Sequence, residues 1–488
     1  MSHVLAIDAG TTGVTCLMVR DDGAITSRAY REVRQFFPQP GWVEHDADQI
    51  FEAVVSAARE AIGKAGESPV SLGITNQRET AVAWDRATGK PLQHAIVWQD
   101  RRTTARCAEL APVHGARITQ LTGLVVDAYF SATKFEWLLR KHAGAKNGML
   151  LGTIDTWLIW RLTGGKVFAT DPSNASRTML YDINALRWSA DLCSLFGVPV
   201  SALPEVRESS GDFGVALREH LGVEVPIRGV AGDQQSALFG QGCWQRGMAK
   251  NTYGTGAFLL LYAGGERPVA ERGLLATVGC DERGRPAYAL EAAIFIAGAA
   301  IQWLRDSLGI IKSADETQAL AEAVDGNHGV YFVPALTGLG APHWEADARG
   351  TIVGLTRGST RAHLTRAALE AMAYGTADVL AAMAHASGAH FPRLRVDGGA
   401  TSNDWLMQFQ ADVLGVPVER PDCIETTALG AAGLAGIASG VWATADEFIS
   451  QRTFHAFEPQ MSREDAAALM HGWHRAVGAA THWARTRE

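Results

Sequence analysis

Two short glycine-threonine segments carry the residues best suited to phosphate chemistry: AGTTG at residues 9–13 and YGTGA at residues 253–257. Glycine leaves room for backbone N–H groups to converge on an anion, and threonine hydroxyls add donors at the same range. Asp8 stands directly before the first segment, where a carboxylate offers a hard oxygen ligand to Mg²⁺ or its bound water. One Gly-Thr turn is usually only a turn, and an acid beside it is usually solvated. The same pattern recurring about 240 residues later suggests two related domains that grip one nucleotide between them.

Apolar, strand-favouring runs flank each segment, in LAIDAGTTGVTCLMV and KNTYGTGAFLLLYAG, so each reads as a β-hairpin with its glycine-threonine loop at the tip. Residues 45–66 read as a helix with Asp46 as N-cap and Gln49 three residues on. Ile50, Phe51, Val54, Val55, Ala58 and Ile62 share one face, and glycines close the end. Strand-like residues 71–77 and 94–100 alternate with helical stretches, the pattern of an α/β domain. The glycine-punctuated stretch 230–247 marks a boundary, dividing the chain into residues 1–243 and 244–488. From residue 251 the order of elements restarts, ending in a strand-turn-helix over 394–415, as an ancient duplication would leave it.

A chain of 488 residues exceeds one compact core, and 47% hydrophobic with 20% charged residues is ordinary for a globular protein. The net charge of −8, with no basic stripe, argues against nucleic-acid binding. Six scattered cysteines without C-x-x-C spacing read as reduced, packed thiols. No basic, apolar and small-residue leader pattern opens the chain, so a cytoplasmic enzyme is expected. Residues 426–445 lack charge and match a bilayer span in length, yet Gly, Ala, Ser and Thr fill most of them. That composition suits a helix packed closely on protein, so no membrane insertion is expected.

The strings GITNQRET (73–80), VWQDRR (97–102), AGDQQSALFGQ (231–241) and NTYGTG (251–256) resemble those of the glycerol kinase group within the FGGY carbohydrate kinases. Similarity continues through GTIDTWLIWRLTGG, SNASRTMLYDI, IQWLRD, TGLGAPHW, ARGTIVGLTRG and VDGGATSN, nearly the whole chain. The first hairpin, Asp233 and VDGGATSN resemble features of the wider family; GITNQRET and VWQDRR resemble the narrower group. The resemblance implies two actin-like, ribonuclease H-like α/β domains with a nucleotide cleft between them. It implies ATP-dependent, Mg²⁺-assisted phosphorylation of glycerol to sn-glycerol 3-phosphate, the first step of glycerol catabolism, by a homodimer or homotetramer. The alternative is a kinase of the same family acting on another polyol or a ketose sugar.

By the same resemblance Asp233 is the catalytic base; its structural alternative is a cap on the following helix. Arg78 and Glu79 are implied to hold two substrate hydroxyls, although adjacent opposite charges are ordinarily a plain surface pair. Gln234 and Tyr129 join Asp233 as polar contacts, and Trp98 and Phe258 form an apolar wall, or simply core. Thr11, Thr12, Gly254, Thr255 and Gly256 resemble the phosphate loops, Asp8 the Mg²⁺ group, and Gly399 and Asn403 the adenosine contacts. Gly298 and Gln302 resemble further nucleotide neighbours, or else helix-packing positions. One departure stands out: the group's first turn typically reads DQGTTSSR, whereas this chain has DAGTTGVT, with Ala9 and with Thr15 in place of the arginine. Its loss implies a compensating cation nearby or weaker nucleotide binding. Residues 218–229 lack the glycine- and arginine-containing loop that binds fructose 1,6-bisphosphate in some relatives, so that inhibition is not expected.

Overall fold

A computed structural model describes residues 1–145, 148–271 and 273–486. Both glycine-threonine segments are hairpin tips. β1 (His3–Ala9) and β2 (Gly13–Arg20) pair antiparallel, with Gly10 N–H donating to the Gly13 carbonyl at 3.0 Å, and β3 (Ile25–Glu32) follows on β2. Helix α1 (Ala47–Ala65) starts at the expected Asp46, whose carboxylate accepts from Asp48 and Gln49 N–H, and stops at Gly66 with φ 71°. Its Ile50, Phe51 and Val54 are buried, whereas Val55 and Ile62 are only half-buried because the deepest turns use Ala57, Ala58 and Ala61. β4 (Ser71–Asn76) and β5 (Val225–Gly232) then add in parallel beside β1. α2 (Asp233–Gly240) follows directly.

The second half repeats the plan. β6 (Ala249–Tyr253) and β7 (Ala257–Gly264) form the other hairpin, extended by β8 (Leu275–Cys280) and β9 (Pro286–Ile294). After α3 (Gly298–Asp306) come β10 (Leu394–Gly398), α4 (Asp404–Leu414), β11 (Val418–Pro421), α5 (Thr426–Ala438) and β12 (Phe454–Phe457). The order β3-β2-β1-β4-β5 in one sheet is matched by β9-β7-β6-β10-β11 in the other, with the same parallel and antiparallel pairings.

Two helices fill the space between the sheets. Phe239 of α2 packs with Val4, Ala6 and Leu17 of the first sheet, while its neighbour Leu238 packs with Leu260 and Ala289 of the second. α5 lies on β1, β4 and β5, although it belongs to the second half of the chain. Its small residues are there for close approach: a Cβ on Gly430 would sit 1.8 Å from the Ser236 carbonyl oxygen, and one on Gly73 of β4 would sit 2.1 Å from that of Ala431. Among the described residues no helix is long and apolar enough to cross a membrane. All six cysteines are free thiols, five of them buried.

Residues 94–100 depart from the expected strand, since only Ala95–Ile96 are paired. Buried Asp100 ends it by accepting the Val43 N–H at 2.7 Å and the Arg102 N–H at 2.8 Å, which turns the chain. The turn carries Trp98 away from the sheet and toward the first hairpin.

Candidate active site

The loop after β4 does not expose its charges as an ordinary surface pair would. Arg78 and Glu79 side chains are each 2% exposed, and Glu79 takes φ 61°, a left-handed conformation that only firm packing holds in a non-glycine residue. Arg78 donates Nη1 to Glu291 Oε2 at 2.6 Å and Nη2 to Glu291 Oε1 at 3.0 Å, and Nη1 also reaches Gln235 Oε1 at 3.1 Å. Arg177 donates Nε to Glu79 Oε1 at 2.6 Å and Nη2 to Glu291 Oε1 at 3.0 Å. Two guanidinium and two carboxylate groups thus form a buried, charge-balanced quartet. Burial opposes the ionisation of Glu291, but Arg177 and Arg78 outweigh it and hold its pKa down to about 2. Burial dominates at Glu79, where the guanidinium groups only partly offset an upward shift.

Asp233 sits on top of this quartet at the first residue of α2. Its Oδ1 lies 3.1 Å from Arg78 Nε and accepts its neighbour Gln234 N–H at 2.7 Å. The side chain is 32% exposed, against 2–3% for Arg78 and Glu291 beneath it. Burial raises its pKa, opposed by Arg78 and Lys250 and assisted by Glu291. Asp8 is pushed up to about 8 by burial and then by the like charges of Asp233 and Glu425. Among the described residues no group of three or more His, Cys, Asp or Glu gathers to hold a metal, so a divalent ion here would have Asp8 as a single carboxylate ligand, whose ionised form it would favour.

β-sheet register explains how the second half contributes. Lys250, Leu260 and Glu291 lie in one row across β6, β7 and β9, and Thr252, Phe258 and Ala293 form the next row on the same face. Lys250 is fully buried and donates to Gln234 Oε1 and, at 2.8 Å, to Thr252 Oγ1. Burial lowers its pKa, and Asp397, Asp233 and Glu291 counteract that. Phe258 is half-buried rather than deep core.

Trp98 ties the first hairpin to this centre. Its Nε1 donates to Thr11 Oγ1 at 3.0 Å, and its ring meets Tyr129 edge-on with centroids 5.5 Å apart. Lys134 supports Tyr129 from below, donating to the carbonyls of Tyr129 at 2.7 Å and Glu79 at 3.2 Å. Burial lowers Lys134 to about 7.

A separate cleft of about 500 Å³ opens beside the second hairpin and is lined by Gly254, Gly298, Gln302, Arg305, Gly399 and Asn403 among others. Gly298 is also a packing glycine, since a Cβ there would lie 2.6 Å from the Gly254 carbonyl oxygen. Thr255 and Gly256 complete the tip, where the Thr255 carbonyl accepts N–H groups of Ala297 and Ala299 at 2.9 and 3.0 Å. Thr12 is exposed at the opposite tip. Asn403 has its side chain committed: Oδ1 caps α4 by accepting Leu406 N–H at 2.9 Å, and Nδ2 donates to Thr317 at 3.0 Å.

Residues 3–240 match the N-terminal domain of the FGGY family of carbohydrate kinases, and residues 249–439 match its C-terminal domain. The chain belongs to the FGGY family of carbohydrate kinases. It is 51% identical to the glycerol kinase of Deinococcus radiodurans, over 99% of this chain and 98% of that protein. It is 52% identical to the glycerol kinase of Chromobacterium violaceum over the same shares. Plasmodium falciparum glycerol kinase with ADP superimposes with a TM-score of 0.94 at 35% identity, covering 98% of both chains. Xylulose kinase from Lactobacillus acidophilus gives 0.90 at 19% identity, covering 100% of this chain and 99% of that one, a likeness of fold alone. The two actin-like halves expected from the sequence are therefore this family's architecture.

Within this FGGY kinase, sequence reasoning passed over Arg177, Lys250, Gln235 and Glu291. Arg177 lies inside SNASRTMLYDI and Lys250 directly before NTYGTG, two strings that mark the resemblance, and a charge amid apolar or small residues was their available signal. Glu291 gave the same signal in YALEAAIF. Thr15, where the resemblance implies an arginine, is 8% exposed and pairs with Asp8 across the β1–β2 ladder. Arg28 on β3 is committed to Glu425 at 2.9 Å, so the buried cations that act on Asp233 are Arg78 and, after it, Lys250.

Proposed function

We propose that this kinase transfers the γ-phosphoryl group of ATP to glycerol, giving sn-glycerol 3-phosphate and ADP. One geometric observation supports the reading above others: Asp233 is the half-exposed acid over a buried, self-neutralised quartet, so its carboxylate is free to face a substrate hydroxyl. As that hydroxyl oxygen bonds to phosphorus, its proton passes to the Asp233 carboxylate and the bridging oxygen leaves with ADP. Arg78 fixes the direction of that carboxylate through Nε, and Gln234 is fixed by Lys250, leaving its amide N–H₂ to donate to the alcohol. Glu79 and Tyr129 serve the remaining hydroxyls. Trp98 and Phe258 pack the three-carbon chain and shed water from it.

The hairpin tips, with Thr11 and Thr12 on one side and Gly254, Thr255 and Gly256 on the other, hold the phosphates. Gly298, Gln302 and Gly399 line the adenosine cleft. Asn403 lines it with them, and its cap on α4 shapes the wall. Asp8 would hold Mg²⁺, directly or through water, and the ion would neutralise charge on the β- and γ-phosphates. Lys250 takes over part of the role of the arginine replaced by Thr15. We place the domain boundary at residues 243 and 244, with α5 reaching back onto the first sheet, and the enzyme in the cytoplasm as a homodimer or homotetramer at the first step of glycerol catabolism.

A coupled ADP-release assay with glycerol, erythritol, xylitol, ribulose and xylulose tests the substrate. Glycerol is expected to give the highest kcat/KM. Preference for a five-carbon compound would instead establish another polyol or ketose as substrate.

A further inference from the structure

Glu291 stands out as the one member of the quartet that comes from the second half of the chain. β9 carries it, in register with Lys250 across the sheet, on the face that looks toward the first half. Arg78, Glu79 and Arg177 all come from the first half, from the loop after β4 and the segment after Pro172–Ala175. Both Glu291 oxygens are used: Oε2 takes Arg78 Nη1, and Oε1 takes Arg78 Nη2 and Arg177 Nη2 together. The remaining Arg177 nitrogen, Nη1, is buried without a hydrogen-bond partner, and its guanidinium lies 5.1 Å from the Phe130 ring and 5.6 Å from that of Tyr129.

Removing Glu291 from this arrangement has a definite consequence for Arg78. Its two terminal nitrogens would lose their carboxylate, and the nearest one left is Asp233, already 3.1 Å from Nε. A guanidinium released from one side of a buried network re-pairs with what remains, because leaving it unpaired in a low-dielectric interior is costly. The substrate-facing carboxylate would then be held by a bidentate arginine instead of a single nitrogen. A base held that way is less able to accept a proton, and its direction toward the alcohol is lost.

We infer that Glu291 is a positioning residue for the alcohol site: from the second half it holds Arg78 and Arg177, and thereby keeps Asp233 free and aimed at the substrate. The inference rests on the glycerol kinase reading above. The alcohol site is assembled only when the two halves adopt this arrangement, so substrate binding and the relative placement of the halves are one event. Glu291 lies outside the cleft lined by Gly298, Gln302 and Gly399, so the nucleotide is not expected to sense it.

Steady-state kinetics of Glu291→Gln and Glu291→Asp, with thermal unfolding of each, tests this. Glu291→Gln is expected to raise the glycerol KM about ten- to a hundredfold, the factor that loss of a hydrogen bond to a charged group gives, while the ATP KM stays within about twofold. Glu291→Asp keeps the charge with one methylene less reach, and should show the same pattern at smaller size. The acid limb of the pH profile should move down in Glu291→Gln, because Arg78 and Lys250 then act on Asp233 without the opposing charge of Glu291. A purely structural role would lower the active fraction and the melting temperature and leave both KM values and the limb in place. A glycerol KM within twofold of the parent, or an equal rise for ATP, overturns the inference. If Glu291→Gln does not fold, Glu291→Asp alone decides by the same criterion. Should the parent enzyme prefer another polyol, the substrate reading fails, and the same comparison is made on that polyol.

Discussion

Asp233→Asn isolates the proposed base because the structure keeps everything else in place. Arg78, Arg177, Glu79 and Glu291 balance one another without Asp233, so the substitution leaves no unpaired charge in the quartet. The asparagine carbonyl oxygen can go on accepting Arg78 Nε and Gln234 N–H, now 3.1 and 2.7 Å away. Only the capacity to take a proton disappears. General-base assistance is worth about 10²- to 10⁴-fold in rate, or about 3 to 5 kcal/mol of barrier. Stability should hold or rise: the folded protein raises the Asp233 pKa, so its ionisation weakens the fold as pH climbs through that value, and asparagine does not ionise. ADP release with saturating glycerol gives the rate, calorimetry gives ADP affinity, and thermal unfolding gives stability. Expected are a kcat reduced at least a hundredfold, unchanged ADP affinity and an equal or higher melting temperature. Turnover within tenfold of the parent, or loss of ADP binding alongside turnover, would refute the assignment.

Asp8, raised to about 8 by burial and neighbouring acids, is mostly protonated at pH 7 in the free protein. Binding of Mg²⁺ with nucleotide should therefore release up to one proton at pH 7 and little at pH 9, read by calorimetry in buffers of different ionisation heat; no release at pH 7 contradicts the assignment. Lys250→Met should lower kcat at least tenfold, whereas Thr15→Arg should lower the ATP KM by restoring a cation opposite Asp8. An unchanged ATP KM in Thr15→Arg would refute the reading that the missing arginine weakens nucleotide binding. Gly430→Ala should destabilise by about 1–3 kcal/mol through overpacking, as its Cβ would meet the Ser236 carbonyl oxygen at 1.8 Å. Gly63→Ala, where nothing lies within 4 Å of the new Cβ, should stabilise by about 0.5–1 kcal/mol in denaturant titration.

Much of this protein can be read from local order in the chain. Strand-favouring runs around Gly-Thr tips specify two hairpins, Asp46 and Gly66 delimit a helix, and a glycine- and alanine-rich stretch specifies a helix that packs close. Each is a matter of neighbours in sequence, where periodicity and capping act within a few residues. Family strings add which acids and loops belong to the chemistry. Tertiary structure decided what charge means at each position. Arg78 and Glu79 look like a surface pair until Glu291, more than two hundred residues away, is brought against them. Asn403 reads as a ligand contact, and only the fold adds that the same amide caps α4 and holds Thr317. Burial and long-range pairing set the energy of a charge, and neither is a property of the residues beside it in the chain.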